Sequence, residues 1–219
     1  MKVKICGLTS LDEALAAADA GADLLGFNFY PPSPRYLETW ACREIVAGLR
    51  SRDCRSIMVG VFVNAPPETI RQTMELCQLN LAQLSGDEPV GDIRALNGLA
   101  YKALRPGALD EARDMAARYA RPAAPALLVD APHPQLFGGT GRTGDWPAAR
   151  ALARDYPLLL AGGLNPGNVA QAVREVQPWG VDVASGVESS PGKKDIEKLR
   201  AFIQVARAAQ EAFPHVRTS

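Results

Sequence analysis

The chain has 219 residues and a formal net charge of zero, with 47% hydrophobic and 22% charged residues. This composition is typical of a globular protein with a sizeable core, and the balanced charge argues against nucleic acid as a partner. No apolar run is long enough to span a membrane, and the first predicted strand begins too close to Met1 to leave room for a signal peptide.

Eight strand-like runs follow one another along the chain. Most are continuously apolar rather than alternating, as expected for strands that are buried on both faces. They are Val3–Cys6, Asp23–Phe29, Ser56–Val63, Leu79–Leu84, Leu99–Leu104, Ala126–Asp130, Leu158–Ala161 and Val181–Ser185. Successive runs lie about 25 residues apart, a spacing that suits one strand, one helix and two short loops.

Helical patterns fill the intervals. The first is capped by Thr9 or Ser10, with Ser10 and Glu13 spaced as in a capping box, and ends at Gly21. The others are Thr39–Arg50, Pro67–Gln78, the short Gly91–Asn97, Leu109–Ala120, Trp146–Asp155, Pro166–Val176 with Asn165 as its cap, and Asp195–Phe213. The alternation predicts an α/β fold, a single-domain (β/α)8 TIM barrel over residues 1–219, with a doubly wound open sheet as the alternative.

Cys6 is the last side chain of the first strand before the chain turns at Gly7. In parallel α/β folds ligands bind at this edge of the sheet, so Cys6 is a candidate for chemistry. The alternative is a buried core thiol, which is a common environment for free cysteine. The four cysteines of the chain are scattered and form no CxxC pair, so they predict neither a disulfide framework nor a zinc site and favour a reduced cytoplasm.

Glycines cluster where strands seven and eight end, in the runs 161–165 and 184–188. In a barrel these two loops form the usual phosphate site, because glycine lets backbone N–H groups approach an anion closely. We therefore predict a phosphate site that includes Gly162, Gly163, Ser185 and Gly186. The alternative is that these glycines serve only to make tight turns.

Three further charged residues stand near predicted strand ends. Asp130 closes strand six, where a carboxylate is poor packing but a suitable acid or base. Asp182 lies within strand eight and is predicted either to point into the barrel or to support the phosphate loops. Arg35 follows strand two on a long loop, where a solvated charge is the simplest interpretation.

Several segments together resemble the phosphoribosylanthranilate isomerase family over nearly the whole chain, and in the family's order. They are Lys4–Thr9, Gly26–Phe29, Ser33–Tyr36, Val59–Val63, Gln83–Glu88, Gly138–Gly141, Ala161–Leu164, and Ser185–Glu188 with Pro191–Asp195. Two positions depart from the family pattern. Ser85 stands where the family usually has His, and Gly144 stands where an aromatic residue is common.

The resemblance implies an Amadori rearrangement of N-(5-phosphoribosyl)anthranilate, an aminoaldose, to the corresponding aminoketose in tryptophan biosynthesis. It maps the general base onto Cys6, the general acid onto Asp130 and the carboxylate-binding residue onto Arg35. The phosphate would bind the two glycine loops, with Asp182 among the substrate-binding residues. No hydride moves and no water attacks in this reaction, so neither a redox cofactor nor a metal is expected.

Two other functions remain open from the sequence. The histidine-pathway aminoaldose isomerase performs the same rearrangement on a related barrel. Its sequence pattern has Asp at the position of Cys6, which argues against this alternative. A catalytically silent sugar-phosphate-binding protein is the second alternative, since a fold does not by itself establish activity. The expected partner is a phosphorylated small molecule, with no nucleic acid and no membrane, and the chain is expected to be a cytoplasmic monomer or homodimer.

Overall fold

The structure, a computed structural model, describes residues 1–130 and 146–211. The barrel strands are β1 Lys2–Cys6, β2 Leu24–Asn28, β3 Ile57–Phe62, β4 Leu81–Leu84, β5 Ala100–Leu104, β6 Leu127–Val129, β7 Leu158–Leu160 and β8 Gly180–Val183. The helices are α1 Leu11–Asp19, α2 Thr39–Arg50, α3 Pro67–Leu76, α4 Val90–Ala95, α5 Leu109–Tyr119, α6 Trp146–Ala153, α7 Val169–Val176 and α8 Ile196–Glu211. The predicted glycine cluster Gly138–Gly141 and the predicted helix end at Phe213 lie outside these ranges.

The eight strands close into a parallel barrel in chain order. Closure is made by β1, which pairs with β2 on one side and with β8 on the other. Lys4 is the register partner of Leu24 and also of Asp182. The prediction of a barrel is thereby confirmed, and the open sheet is excluded, since an open sheet leaves two strands with a free edge.

The strands bury both faces, which explains their continuous apolar runs. The apolar side chains that fill the barrel interior form one cluster, with Ile57 and Trp179 packed against it: Leu24, Val59, Leu81, Tyr101, Ala103, Leu128, Leu159 and Ala161. Intervening residues such as Leu25 and Phe27 face outward and pack into the larger cluster that also includes helix side chains. The interior is a packed core rather than a pore, so a ligand site is expected only at the mouth.

The α1 cap is only partly the predicted capping box. Ser10 is the N-cap, and its Oγ accepts a hydrogen bond from the Glu13 N–H at 3.3 Å. The Glu13 carboxylate, however, accepts from the backbone N–H of Thr9 at 3.0 Å and from that of Lys194 at 2.8 Å. Glu13 therefore joins the loop after β1 to the chain just before α8.

The predicted start of α7 at Pro166 is wrong, because the helix begins at Val169. Asn168 Oδ1 accepts from the Asn165 N–H at 2.8 Å, and Asn165 Oδ1 accepts from the Gly167 N–H at 2.8 Å. These side-chain turns compete with helical hydrogen bonds and delay the helix. The predicted end of strand eight at Ser185 is also wrong, since β8 ends at Val183 and a 3₁₀ turn follows over Ser185–Val187.

A short antiparallel hairpin follows this turn and was not predicted. Its strands are β9 Glu188–Ser190 and β10 Lys193–Lys194. Across the described ranges, no helix combines the length and apolar character needed to cross a membrane.

Candidate active site

Cys6 ends β1 at the mouth of the barrel and is 8% exposed. Its neighbour across the β1–β2 pair is Gly26. A Cβ at Gly26 would stand 2.9 Å from Cys6 Sγ and 3.1 Å from Lys4 Nζ. The missing side chain at Gly26 thus makes room for the thiol and for the ammonium group beneath it, a purpose that the sequence pattern did not reveal.

Lys4 is fully buried inside the barrel, and its Nζ lies 2.9 Å from Asp182 Oδ1. Burial acts to lower the pKa of Lys4, but its interactions with Asp182, Cys6 and Tyr101 outweigh it, that with Asp182 the largest, and raise this pKa above its usual value. The ammonium group therefore places a buried positive charge beside Cys6. Of the two predicted orientations for Asp182, the structure shows the one into the barrel.

Arg35 is not a solvated loop charge. Its Nε lies 2.7 Å from Glu188 Oε1, and its Nη2 lies 2.8 Å from Glu188 Oε2. Lys194 Nζ donates to the same Oε1 at 2.8 Å. The Arg35 side chain crosses Gly7, where a Cβ would meet Arg35 Cδ at 2.4 Å and where φ is +73°. Glycine at position 7 therefore brings Arg35 next to Cys6.

The charges of this group of three residues do not cancel. Burial acts to raise the pKa of Glu188, but hydrogen bonds from Arg35 and Lys194 lower it below its usual value. The pKa of Lys194 is lowered overall, because the effect of burial is larger than the opposing effects of Glu188 and of a thiolate at Cys6. Burial also acts to lower the pKa of Arg35, which Glu188 nevertheless raises overall. The cluster holds two cations and one anion, which leaves one positive charge beside Cys6.

Asp130 follows β6 directly, and its backbone N–H donates to the Leu104 carbonyl at 2.9 Å. Its Oδ2 lies 3.8 Å from Arg105 Nε. The side chains of Arg105 and Asp130 are 25% and 15% exposed, so the carboxylate is not completely buried. Around the barrel β6 is separated from β1 by β7 and β8, so Cys6 and Asp130 lie on different sides of the mouth.

The two glycine loops meet closely. Gly162 and Gly163 have φ of +94° and +65°, a region that favours glycine. A Cβ on Gly186 would stand 1.8 Å from the Leu164 carbonyl oxygen, so the loops touch backbone to backbone. Ser185 opens the 3₁₀ turn beside them and is partly exposed.

Ser85 lies at the end of β4 and is buried. Its Oγ accepts from Gln83 Nε2 at 3.1 Å, and Gln83 Oε1 accepts from the Tyr101 hydroxyl at 2.9 Å. The buried hydrogen-bond network of Tyr101, Gln83 and Ser85 thus ends in a hydroxyl group. The family pattern described above usually has an imidazole at this position.

A family model described as N-(5'phosphoribosyl)anthranilate (PRA) isomerase matches residues 3–205. The chain belongs to the phosphoribosylanthranilate isomerase family. The resemblance stated from the motifs is thereby confirmed. The protein isomerises N-(5-phosphoribosyl)anthranilate in tryptophan biosynthesis.

Individual relatives agree with this assignment. The chain is 47% identical over 216 residues to the isomerase of Roseiflexus sp., covering 96% of this chain and all of that one. The crystal structure of the Thermotoga maritima isomerase has a TM-score of 0.85 at 37% identity, covering 95% of this chain and 99% of that one.

Two further crystal structures extend the comparison, and both cover 95% of this chain and 99% of the other. One holds reduced 1-(o-carboxyphenylamino)-1-deoxyribulose 5-phosphate, with a TM-score of 0.81 at 36% identity. The other, with a TM-score of 0.81 at 35% identity, describes monomers of the dimeric T. maritima isomerase. These similarities favour a phosphoribosylanthranilate isomerase over the histidine-pathway enzyme and over a silent binding protein.

The structure also places Glu188 and Lys194 beside Arg35, one of the predicted site residues. Glu188 and Lys194 belong to the matched motifs, but the sequence alone assigned them no contact. Their motif membership was the available signal, while their pairing with Arg35 becomes visible only in three dimensions.

Proposed function

We propose that Cys6 is the general base and Asp130 the general acid of this isomerisation. The observation that carries the proposal is their placement on different sides of one mouth, at the ends of β1 and β6, with cations beside Cys6. One acid and one base that flank a bound sugar suffice for an Amadori rearrangement.

Each proposed step uses one of these groups. Asp130 gives a proton to the ribose ring oxygen, and the C1–O bond breaks to leave a protonated imine at C1. The Cys6 thiolate then removes the proton from C2, which gives an enolamine. The Cys6 thiol returns a proton to C1 and the C2 hydroxyl proton passes to Asp130, which completes the aminoketose and restores both groups. The positive charges of Lys4 and Arg35 beside Cys6 assist this proton removal in the proposed mechanism.

We propose that the ends of the substrate are held at two positions. The phosphate is bound by backbone N–H groups around Gly162, Gly163, Ser185 and Gly186, where the left-handed turns at Gly162 and Gly163 and the close contact of the two loops support a preformed anion site. The anthranilate carboxylate pairs with Arg35. Two fixed ends lower the entropic cost of reaching the reactive geometry.

Asp182 has a different proposed part. Its carboxylate is engaged by Lys4 inside the barrel. We propose that it supports substrate binding from beneath the site by holding the ammonium group under Cys6.

A structure of this protein with the reduced aminoketose product analogue tests these assignments. We expect the phosphate within hydrogen-bonding distance of the Gly163 and Gly186 N–H groups, the carboxylate on Arg35, and the sugar between Cys6 and Asp130. A phosphate held instead by Lys102 and Arg105 would overturn the phosphate assignment.

The remaining expectations are also proposals. We propose that the barrel is the one domain of residues 1–219 and that the protein is a cytoplasmic monomer or homodimer. Four free thiols support a reducing compartment. The dimeric form described for the T. maritima isomerase supports the homodimer as one of the two states.

A further inference from the structure

We propose that Glu188 is a positioning residue that orients the guanidinium of Arg35 toward the substrate carboxylate. This inference rests on the carboxylate-binding role proposed for Arg35. It adds a residue that determines how strongly the enzyme prefers a carboxylated aryl amine.

The geometry divides the guanidinium into two edges. Glu188 takes the side edge, through Nε at 2.7 Å and Nη2 at 2.8 Å. A guanidinium has five N–H donors in one plane, so this pairing leaves the two on Nη1 and the second one on Nη2. Within residues 1–130 and 146–211, Nη1 donates no hydrogen bond. The end edge, made by Nη1 and Nη2, has the geometry that a second carboxylate accepts in a bidentate pair.

Glu188 is itself fixed independently of Arg35. Its Oε1 accepts from Lys194 Nζ at 2.8 Å, and its backbone carbonyl accepts from Lys198 Nζ at 3.1 Å. Lys194 Nζ also donates to the Ala184 carbonyl at 3.0 Å. Glu188 is therefore a static partner for Arg35 and need not leave when a substrate arrives.

The charges favour simultaneous binding over competition. The pKa of Glu188 is lowered by Arg35 and Lys194 against the effect of burial, so the carboxylate is ionised at neutral pH. One anion and two cations leave one positive charge for the incoming carboxylate. If the substrate carboxylate instead displaced Glu188 from Arg35, the Glu188 carboxylate would need another cation. Only Lys194 would then remain as its partner.

The backbone allows little alternative placement. Gly192 has φ of +80°, and a Cβ there would stand 2.3 Å from the Pro34 carbonyl oxygen. The hairpin turn thus packs against the residue before Arg35, while the Arg35 side chain lies across Gly7. Without Glu188 the guanidinium keeps its location but loses the contact that sets its tilt.

The experiment measures kcat and KM on two substrates, N-(5-phosphoribosyl)anthranilate and N-(5-phosphoribosyl)aniline, which lacks the carboxylate. The variants are Glu188→Gln, Glu188→Asp, Arg35→Met and the double variant Arg35→Met with Glu188→Gln. Glu88→Gln is the matched control, because Glu88 is another buried carboxylate but pairs with Lys102. The ratio of kcat/KM between the two substrates is independent of the fraction of folded enzyme.

We expect Glu188→Gln to lower this ratio by roughly 10-fold, the effect of one weakened charge-assisted contact, mainly through a higher KM for the anthranilate. Glu188→Asp should recover part of the ratio, the double variant should match Arg35→Met, and Glu88→Gln should keep the wild-type ratio. A lower KM in Glu188→Gln would show that Glu188 competes with the substrate and would overturn the proposal. A wild-type kcat/KM ratio in Glu188→Gln, together with a lowered ratio in Arg35→Met, would also overturn it. If Arg35→Met itself leaves the ratio unchanged, the role of Arg35 falls and this inference falls with it.

Discussion

Lys4 Nζ donates to Asp182 Oδ1 at 2.9 Å inside the barrel, where both side chains are almost completely buried. The two residues are register partners on β1 and β8. Cys6 lies two residues further along the same face of β1, so the ion pair sits directly beneath the thiol. A buried charge at this point is costly unless it is paired, which makes each residue dependent on the other.

Replacement of Lys4 tests this dependence. Lys4→Met should lower the free energy of unfolding by about 3–5 kcal/mol, because it leaves the Asp182 carboxylate buried without its partner. Urea denaturation measures the change. Adding Asp182→Asn to Lys4→Met should recover part of the loss, and a single variant as stable as the wild type would contradict the pairing energy assigned here.

Much of the architecture was predictable because it depends on local patterns. Strand spacing and continuous apolar runs indicated a barrel, and the position of Cys6 at a strand end indicated its place at the mouth. The contacts that tune the site join distant residues: Arg35 and Glu188 are 153 residues apart, and Lys4 and Asp182 are 178 apart. Neither pairing leaves a periodic signal, so neither was predictable from the residues alone.

Two predictions at helix starts differ from the structure because side chains there bond to other backbone groups. The start of α7 was misplaced because Asn165 and Asn168 bond to nearby backbone groups instead of starting the helix at Pro166. Glu13 was expected to complete a capping box, but its carboxylate is also used by the N–H of Lys194, far along the chain. In both cases the side chain accepts hydrogen bonds from backbone N–H groups other than those that the prediction assumed.

The lowered pKa of Glu88 should make the free energy of unfolding depend on pH. Burial raises the pKa of Glu88, but Lys102 and the Asn64 N–H lower it below its usual value. A depressed folded-state pKa contributes stability above the unfolded value of about 4.3 and loses it as pH falls through the folded value. Urea midpoints should show Glu88→Gln less stable than wild type at pH 7, with the difference shrinking below about pH 4. A difference independent of pH would contradict this assignment.

Replacement of Gly186 by alanine should specifically weaken phosphate binding. A Cβ there would stand 1.8 Å from the Leu164 carbonyl oxygen, so Gly186→Ala must push the two loops apart. We expect KM for the substrate and the inhibition constant of inorganic phosphate to rise together by roughly 10-fold or more, as for the loss of a charge-assisted hydrogen bond. Gly91→Ala is the control, because a Cβ at Gly91 meets nothing within 4 Å. Unchanged phosphate inhibition in Gly186→Ala would place the anion elsewhere.

Asp130 is tested by an isosteric change. Asp130→Asn should lower kcat by at least ~10²-fold, because an amide cannot supply the proton that opens the ribose ring. Asparagine is isosteric with aspartate, so the variant should stay folded, which its urea midpoint checks. Stopped-flow fluorescence of the substrate measures kcat, and near-normal turnover would assign ring opening to another group.

Cys6 carries the central claim, and the turnover number of Cys6→Ser tests it most directly. The substrate is fluorescent, so loss of its fluorescence reports the reaction, while phosphate inhibition and the urea midpoint report the intact site and fold. A hydroxyl is far less acidic than a thiol, and we predict that kcat falls by at least ~10²-fold with both controls unchanged. A folded Cys6→Ser enzyme with near-wild-type kcat would show that Cys6 is a core thiol and that another group removes the C2 proton.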